Sequence, residues 1–179
     1  RHDRWRMKTA EFPRLERNLV AILRGLRPET ALDYGRAISD AGIDAIEGPL
    51  NSPDPFASIE RWARGLPQSA LLGAGTVLSA ADVDRLHDAG GRLLVSPNVD
   101  AAVMGRAAVH GMVTMPGVFT PTEAFQAISL GASALKFFPA SVLGARGIAA
   151  VKAVLPPTKI IGGGGVAFQE NLADPAQAA

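Results

Sequence analysis

Residues 111–139, GMVTMPGVFTPTEAFQAISLGASALKFFP, decide the fold. They open on an apolar run, Gly111–Gly117, about as long as a buried strand. The segment Thr122–Leu130 follows, with Pro121 before it and Gly131 after it. Proline at the entrance and glycine past the exit mark a helix. A second apolar run, Ala134–Pro139, closes the stretch. The order strand, helix, strand predicts parallel strands joined by a covering helix.

The same alternation extends in both directions. Upstream lie the apolar runs Leu19–Leu23, Asp44–Leu50, Ala70–Gly75 and Arg92–Pro97; downstream lies Lys159–Gly165. Helices are predicted over Thr30–Ala41, Ala80–Ala89 and Ala101–His110, each bounded by a proline or cap and by glycine. Seven strands result. An open doubly wound sheet and a (β/α) barrel both fit this pattern. No GxGxxG opens a helix after the first strand, which disfavours dinucleotide binding. Polar residues gather at the C-terminal ends of strands instead: Arg24, Glu47, Thr76, Asn98 and Lys136. That is the layout of a barrel active site. Residues 1–18 read as an arm and lead-in, with no functional weight on Arg1–Arg6, and 19–179 as one barrel domain.

Composition narrows the function. Of 179 residues, 47% are apolar and 20% charged, with a net charge of +1, so nothing argues for a nucleic-acid partner. The absence of cysteine removes disulfides and thiolate metal sites. No apolar run is long enough for a membrane span, and the N-terminus has no signal-like apolar region. The cytoplasm is the default location. His2, His87 and His110 show no ligand spacing and read as surface or helix-packing residues, so no metal or cofactor is expected.

Lys136 interrupts the apolar run ALKFFP. Either it leaves a strand end for solvent, or it points inward and desolvation makes it a nucleophilic amine. Strand alternation puts Phe138 on its face and Leu135 and Phe137 on the other. Glu47 is the sole carboxylate among the apolar positions of DAIEGPL that follow Asp44: a solvated strand end, a partner for Lys136, or a general acid/base. An inward amine and carboxylate would suit Schiff-base chemistry, which needs no metal. Arg24 suits an anion clamp or a salt bridge. Thr76, after Gly75, suits a small carboxylate or a plain turn cap. Glycines 162–165 allow backbone N–H groups to approach an anion.

Taken in order, AILRG, EGPLNSP, LGAGTVL, VSPN, PGVFTPTEAF, ALKFFPAS and GGV resemble the 2-keto-3-deoxy-6-phosphogluconate and -galactonate aldolases. The resemblance runs from Leu19 to Leu172. Asn51 in LNSP and the run SPNVD are closer to the galactonate branch. It implies a (β/α)8 TIM barrel, usually a homotrimer, acting without metal as a class I aldolase. The implied reaction splits the phosphorylated keto-deoxy sugar acid reversibly into pyruvate and glyceraldehyde 3-phosphate. By the same resemblance Lys136 is the Schiff-base lysine and Glu47 the proton shuttle. Arg24 and Thr76 contact substrate, Thr76 near the pyruvyl carboxylate. Pro97 and Phe138 line the pocket, and Gly164 and Gly165 hold phosphate.

Three departures qualify the match. Gly48 replaces an apolar β-branched residue and is expected to loosen Glu47. VAFQENL is one residue longer than the family pattern. Helix 7 and strand 8 are not visible after Gly165; a true truncation would predict weak activity and poor stability. The competing readings are the same reaction on the gluconate epimer, a phosphate-binding synthase or epimerase, and a non-catalytic barrel.

Overall fold

Parallel strands cannot be joined by tight turns, so each needs a crossover, and here the crossovers are helices. The computed structural model describes residues 9–164. In chain order the elements are β1 (Ala21–Ile22), α1 (Pro28–Asp40), β2 (Ala45–Pro49), α2 (Pro55–Gly65), β3 (Leu71–Gly75), α3 (Ala80–Asp88) and β4 (Leu93–Val95). They continue with α4 (Ala101–Val109), β5 (Val113–Met115), β6 (Gly117–Val118), α5 (Pro121–Ser129), β7 (Leu135–Phe137), α6 (Ala140–Lys152) and β8 (Ile160–Gly162). All strand pairs are parallel, in the orders β1-β2-β3-β4-β5 and β6-β7-β8.

The seven apolar runs appear as eight strands because the fifth is broken. Pro116 has no N–H to give to a ladder, so the strand stops and restarts across it. β5 pairs with β4 on one side of the break, and β6 pairs with β7 on the other. The wall therefore continues through the proline. The expected seventh helix and eighth strand of the barrel, the VAFQENL loop, Gly165 and His2 lie outside the described residues.

Alternation along the strands separates two cores. Ile46, Leu72 and Leu94 face outward and pack with Ile59, Trp62 and Leu86 of the helices. Their neighbours Ala45, Leu71 and Leu93 face inward and pack with Val95, Val113 and Met115. Leu15 joins this inner layer, with Ala10 and Phe12 beside it, so the lead-in packs against one end of it; among the described residues β8 and β1 are not paired and the sheets do not close. The Ala10 N–H donates to the Met112 carbonyl (2.9 Å). Behind β6 and β7, Val118, Leu135 and Phe137 pack on Ala124 and Ala127 of α5 and Val151 of α6.

Gly48 does not loosen β2, contrary to the sequence expectation. It pairs in register with Ala74 in a strand whose five residues are all buried. A Cβ at Gly48 would stand 3.2 Å from the Trp62 ring. The indole fills the space that a β-branched side chain would take, and its N–H donates to the Ala31 carbonyl (2.7 Å). Gly35 on α1 is small for the same reason, with Trp62 2.9 Å from its absent Cβ.

Candidate functional site

Glu47 lies in the middle of β2 rather than at its end, which corrects the sequence placement. It shares the inward parity of Ala45 and is 2% exposed. A Cβ at Gly75 on β3 would sit 2.2 Å from Oε2, so glycine is what lets the carboxylate lie there. Among the described residues Oε2 has no hydrogen-bond partner. Burial raises the carboxyl to about 7; the charges of Lys136 and Arg24, and the Gly75 backbone, pull it partly back.

Lys136 is the centre of β7 and faces the same interior. Its flanking residues Leu135 and Phe137 point outward and are fully buried, as alternation requires. Burial lowers the ammonium below the ordinary lysine value, Glu47 opposes that shift, and Arg24 adds to it. The two groups are therefore both driven toward neutrality: the lysine toward free amine, the glutamate toward carboxylic acid. Lys136 Nζ lies 5.0 Å from the centre of the Phe138 ring.

Both side chains line one small, partly open cavity. Its other walls are apolar: Val20, Ile22, Val95, Met115 and Ile161. None of these five figured among the candidate site residues, although each belongs to, or directly borders, an apolar strand run. Their type alone does not separate them from ordinary core. Gly162 and Gly163 complete the lining. A Cβ at Gly163 would approach Lys136 Cε to 2.9 Å, and one at Gly164 would approach the Phe138 ring to 2.5 Å. These glycines thus pack against the two residues at the site.

Ile22 also borders a wider, open cleft that carries Arg24, Arg27 and Tyr34. Arg24 is exposed there, and its Nη1 donates to Asn51 Oδ1 (2.7 Å). Thr76 follows β3 directly and has φ 56°, a left-handed conformation that is rare for a β-branched residue. It directly follows Gly75, whose missing Cβ makes room for the Glu47 carboxylate. Pro97 is half-buried past the end of β4 and is not on the cavity wall; its carbonyl lies against Gly117. Asn98 is exposed.

Among the described residues, no three metal-binding side chains are grouped to hold an ion. His87 and His110 stack at 4.1 Å between α3 and α4, and His110 Nε2 meets Asp84 Oδ1 (2.6 Å). That is a helix-packing contact away from the cavity. No helix among the described residues is long and apolar enough to cross a membrane.

The chain and its fold match known proteins. The family model described as "Aldolase: KDPG and KHG aldolase" matches residues 14–174. A Rhizobium meliloti protein named probable 2-dehydro-3-deoxy-6-phosphogalactonate aldolase is 57% identical, over 94% of this chain and 79% of its own. An Escherichia coli protein named 2-dehydro-3-deoxy-6-phosphogalactonate aldolase is 47% identical, over 87% of this chain and 76% of its own. A solved structure titled "Native KDPGal structure" superposes with a TM-score of 0.85 at 45% identity, covering 90% of this chain and 78% of that one.

Proposed function

The chain belongs to the KDPG and KHG aldolase family, and from that premise we propose that Lys136 is its Schiff-base nucleophile and Glu47 its proton shuttle. The enzyme is a carbon–carbon lyase of the class I type. It cleaves 2-dehydro-3-deoxy-6-phosphogalactonate to pyruvate and glyceraldehyde 3-phosphate. The observation that carries the site assignment is the shared cavity. A lysine with a lowered pKa and a buried carboxyl raised to about 7 face one apolar space.

The chemistry follows from those two groups. The Lys136 amine attacks the C2 carbonyl, and loss of water leaves a protonated imine. Glu47 takes the proton of the C4 hydroxyl. The C3–C4 bond breaks, its electron pair flows into the imine, and glyceraldehyde 3-phosphate departs. Glu47 returns the proton to C3 of the resulting enamine, and water releases pyruvate and the free amine. A carboxyl titrating near 7 can do both jobs at neutral pH. The apolar walls lower the amine's pKa and shield the site from bulk water.

Arg24 and Thr76 complete this reading as substrate contacts, Thr76 toward the pyruvyl carboxylate. Phe138, whose ring lies 5.0 Å from Lys136 Nζ, borders the substrate path, and Gly164 and Gly165 meet the phosphate. A homotrimer in the cytoplasm belongs to the same reading.

The test is intact mass after incubation with pyruvate and borohydride, wild type beside Lys136→Met. A reduced pyruvyl adduct on the wild type, absent in the variant, is expected. A folded wild type that forms no adduct overturns the assignment. Initial rates on the two C4 epimers then decide the substrate, with the galactonate epimer expected to be faster.

A further inference from the structure

We infer that Asn51 is a positioning residue for the reaction: it fixes the Arg24 guanidinium at the mouth of the cavity. The inference rests on the functional reading above. It starts from the loop between β2 and α2, residues 50–54, which leaves β2 only three positions after Glu47. The Leu50 N–H donates to the Gly75 carbonyl (2.9 Å), and the Ser52 N–H to the Pro49 carbonyl (2.9 Å). The loop is therefore tied to the same two strands that hold Glu47.

From that base it reaches across to the exit of β1. Asn51 Oδ1 accepts from Arg24 Nη1 (2.7 Å), and Ser52 Oγ accepts from the Gly25 N–H (3.0 Å). Gly25 has φ 77°, so the chain turns sharply just after Arg24. One side-chain bond and one backbone bond thus pin two successive residues. An exposed arginine is otherwise free to sample many rotamers, and a clamp on a carboxylate or phosphate works only if its fork is preorganised.

Arg24 lines the cleft that shares Ile22 with the cavity, and its charge lowers both Glu47 and Lys136. An amide at position 51 holds the guanidinium without neutralising it. Asn51 uses one of five N–H donors and leaves the others for an anionic group of the substrate. A carboxylate at position 51 would hold the arginine equally well but quench its field. Position and charge can therefore be separated by two substitutions at one exposed residue.

The experiment compares wild type, Asn51→Ala and Asn51→Asp for turnover of the phosphorylated keto-deoxy acid across pH, with thermal melting as a folding check. Asn51→Ala frees Arg24 but keeps its charge; KM is expected to rise about tenfold with kcat nearly unchanged. Asn51→Asp neutralises Arg24, so Glu47 titrates at higher pH and the acidic limb of the rate profile moves up. An alanine variant with wild-type KM, or an aspartate variant with an unmoved profile, overturns the inference. Borohydride trapping with pyruvate on the same samples separates the two ideas. Loss of the adduct in wild type defeats the aldolase reading itself, whereas normal trapping with unaltered kinetics in both variants defeats only the role of Asn51.

Discussion

The two walls that carry the reacting groups are built differently. β2, which holds Glu47, has five residues, all buried, and pairs with a strand on each side. Behind it Trp62 and its neighbours form the larger outer core. β7, which holds Lys136, has three residues, and the lysine is its only partly exposed position. The difference fits the roles proposed for the two groups. A proton shuttle has to stay desolvated and in one place, because its pKa is its function. The amine has to meet a carbonyl that arrives from solvent, so its side of the cavity is less sealed.

The sharpest way to break this contrast is at Glu47. Glu47→Gln removes the proposed proton shuttle, and turnover should fall by about 10²–10⁴-fold. The same variant should gain stability above neutral pH. The folded carboxyl titrates near 7 against an ordinary 4.5, so folding favours the protonated form. Its contribution is complete below the unfolded value and is lost as pH rises through 7. The linkage is worth about 3 kcal/mol. Urea unfolding should show the variant more stable than wild type at pH 8, with the gap shrinking as pH falls from 7 toward 4.5. A gap that does not change with pH would mean that Glu47 is not held protonated by burial.

A smaller effect is expected behind the wall. Trp62→Ala should cost about 3–5 kcal/mol, because it empties a fully buried site and leaves the Ala31 carbonyl without its indole donor. Gly48→Val in the wild-type background should cost about 1–3 kcal/mol through overpacking against the indole. Combined with Trp62→Leu it should cost less than the two single changes together. A denaturation double-mutant cycle measures that coupling; strict additivity would show that Trp62 is not what keeps position 48 small.

On the other wall the gentlest probe is Gly163→Ala. The added methyl presses on Lys136 Cε, which is flexible enough to shift. Stability should change by less than about 1 kcal/mol. Steady-state kcat/KM should fall about tenfold, since a small misplacement of a nucleophile is costly. An unchanged kcat/KM would mean that the amine tolerates more freedom on this side than the cavity shape implies.

Most of the architecture could be read from the chain because parallel strands buried on both faces stand out as apolar runs. Two helices were passed over. α2 carries Pro55 at its start and Ile59, Trp62 and Leu66 at helical spacing, so its signal was present in the residues. α6 is rich in alanine and glycine and turns left-handed at Gly144 (φ 69°), which erases the pattern. The break at Pro116 was hidden inside one apolar run. Lys136 and Glu47 stood out because a charge in a strand is rare; the five apolar walls of the cavity did not, because they look like any core residue. The Arg24–Asn51 contact depends on which loops meet across the barrel mouth, and spacing along the chain carries no trace of it.

Thr76 has a consequence beyond the site it borders. A threonine held at φ 56° carries roughly 1–3 kcal/mol of backbone strain that glycine would not. Selection for heat resistance alone would therefore press on this position, and relief of the strain by glycine would remove the hydroxyl proposed to contact substrate. A glycine here would trade the proposed contact for durability, the usual form of a stability–activity trade-off.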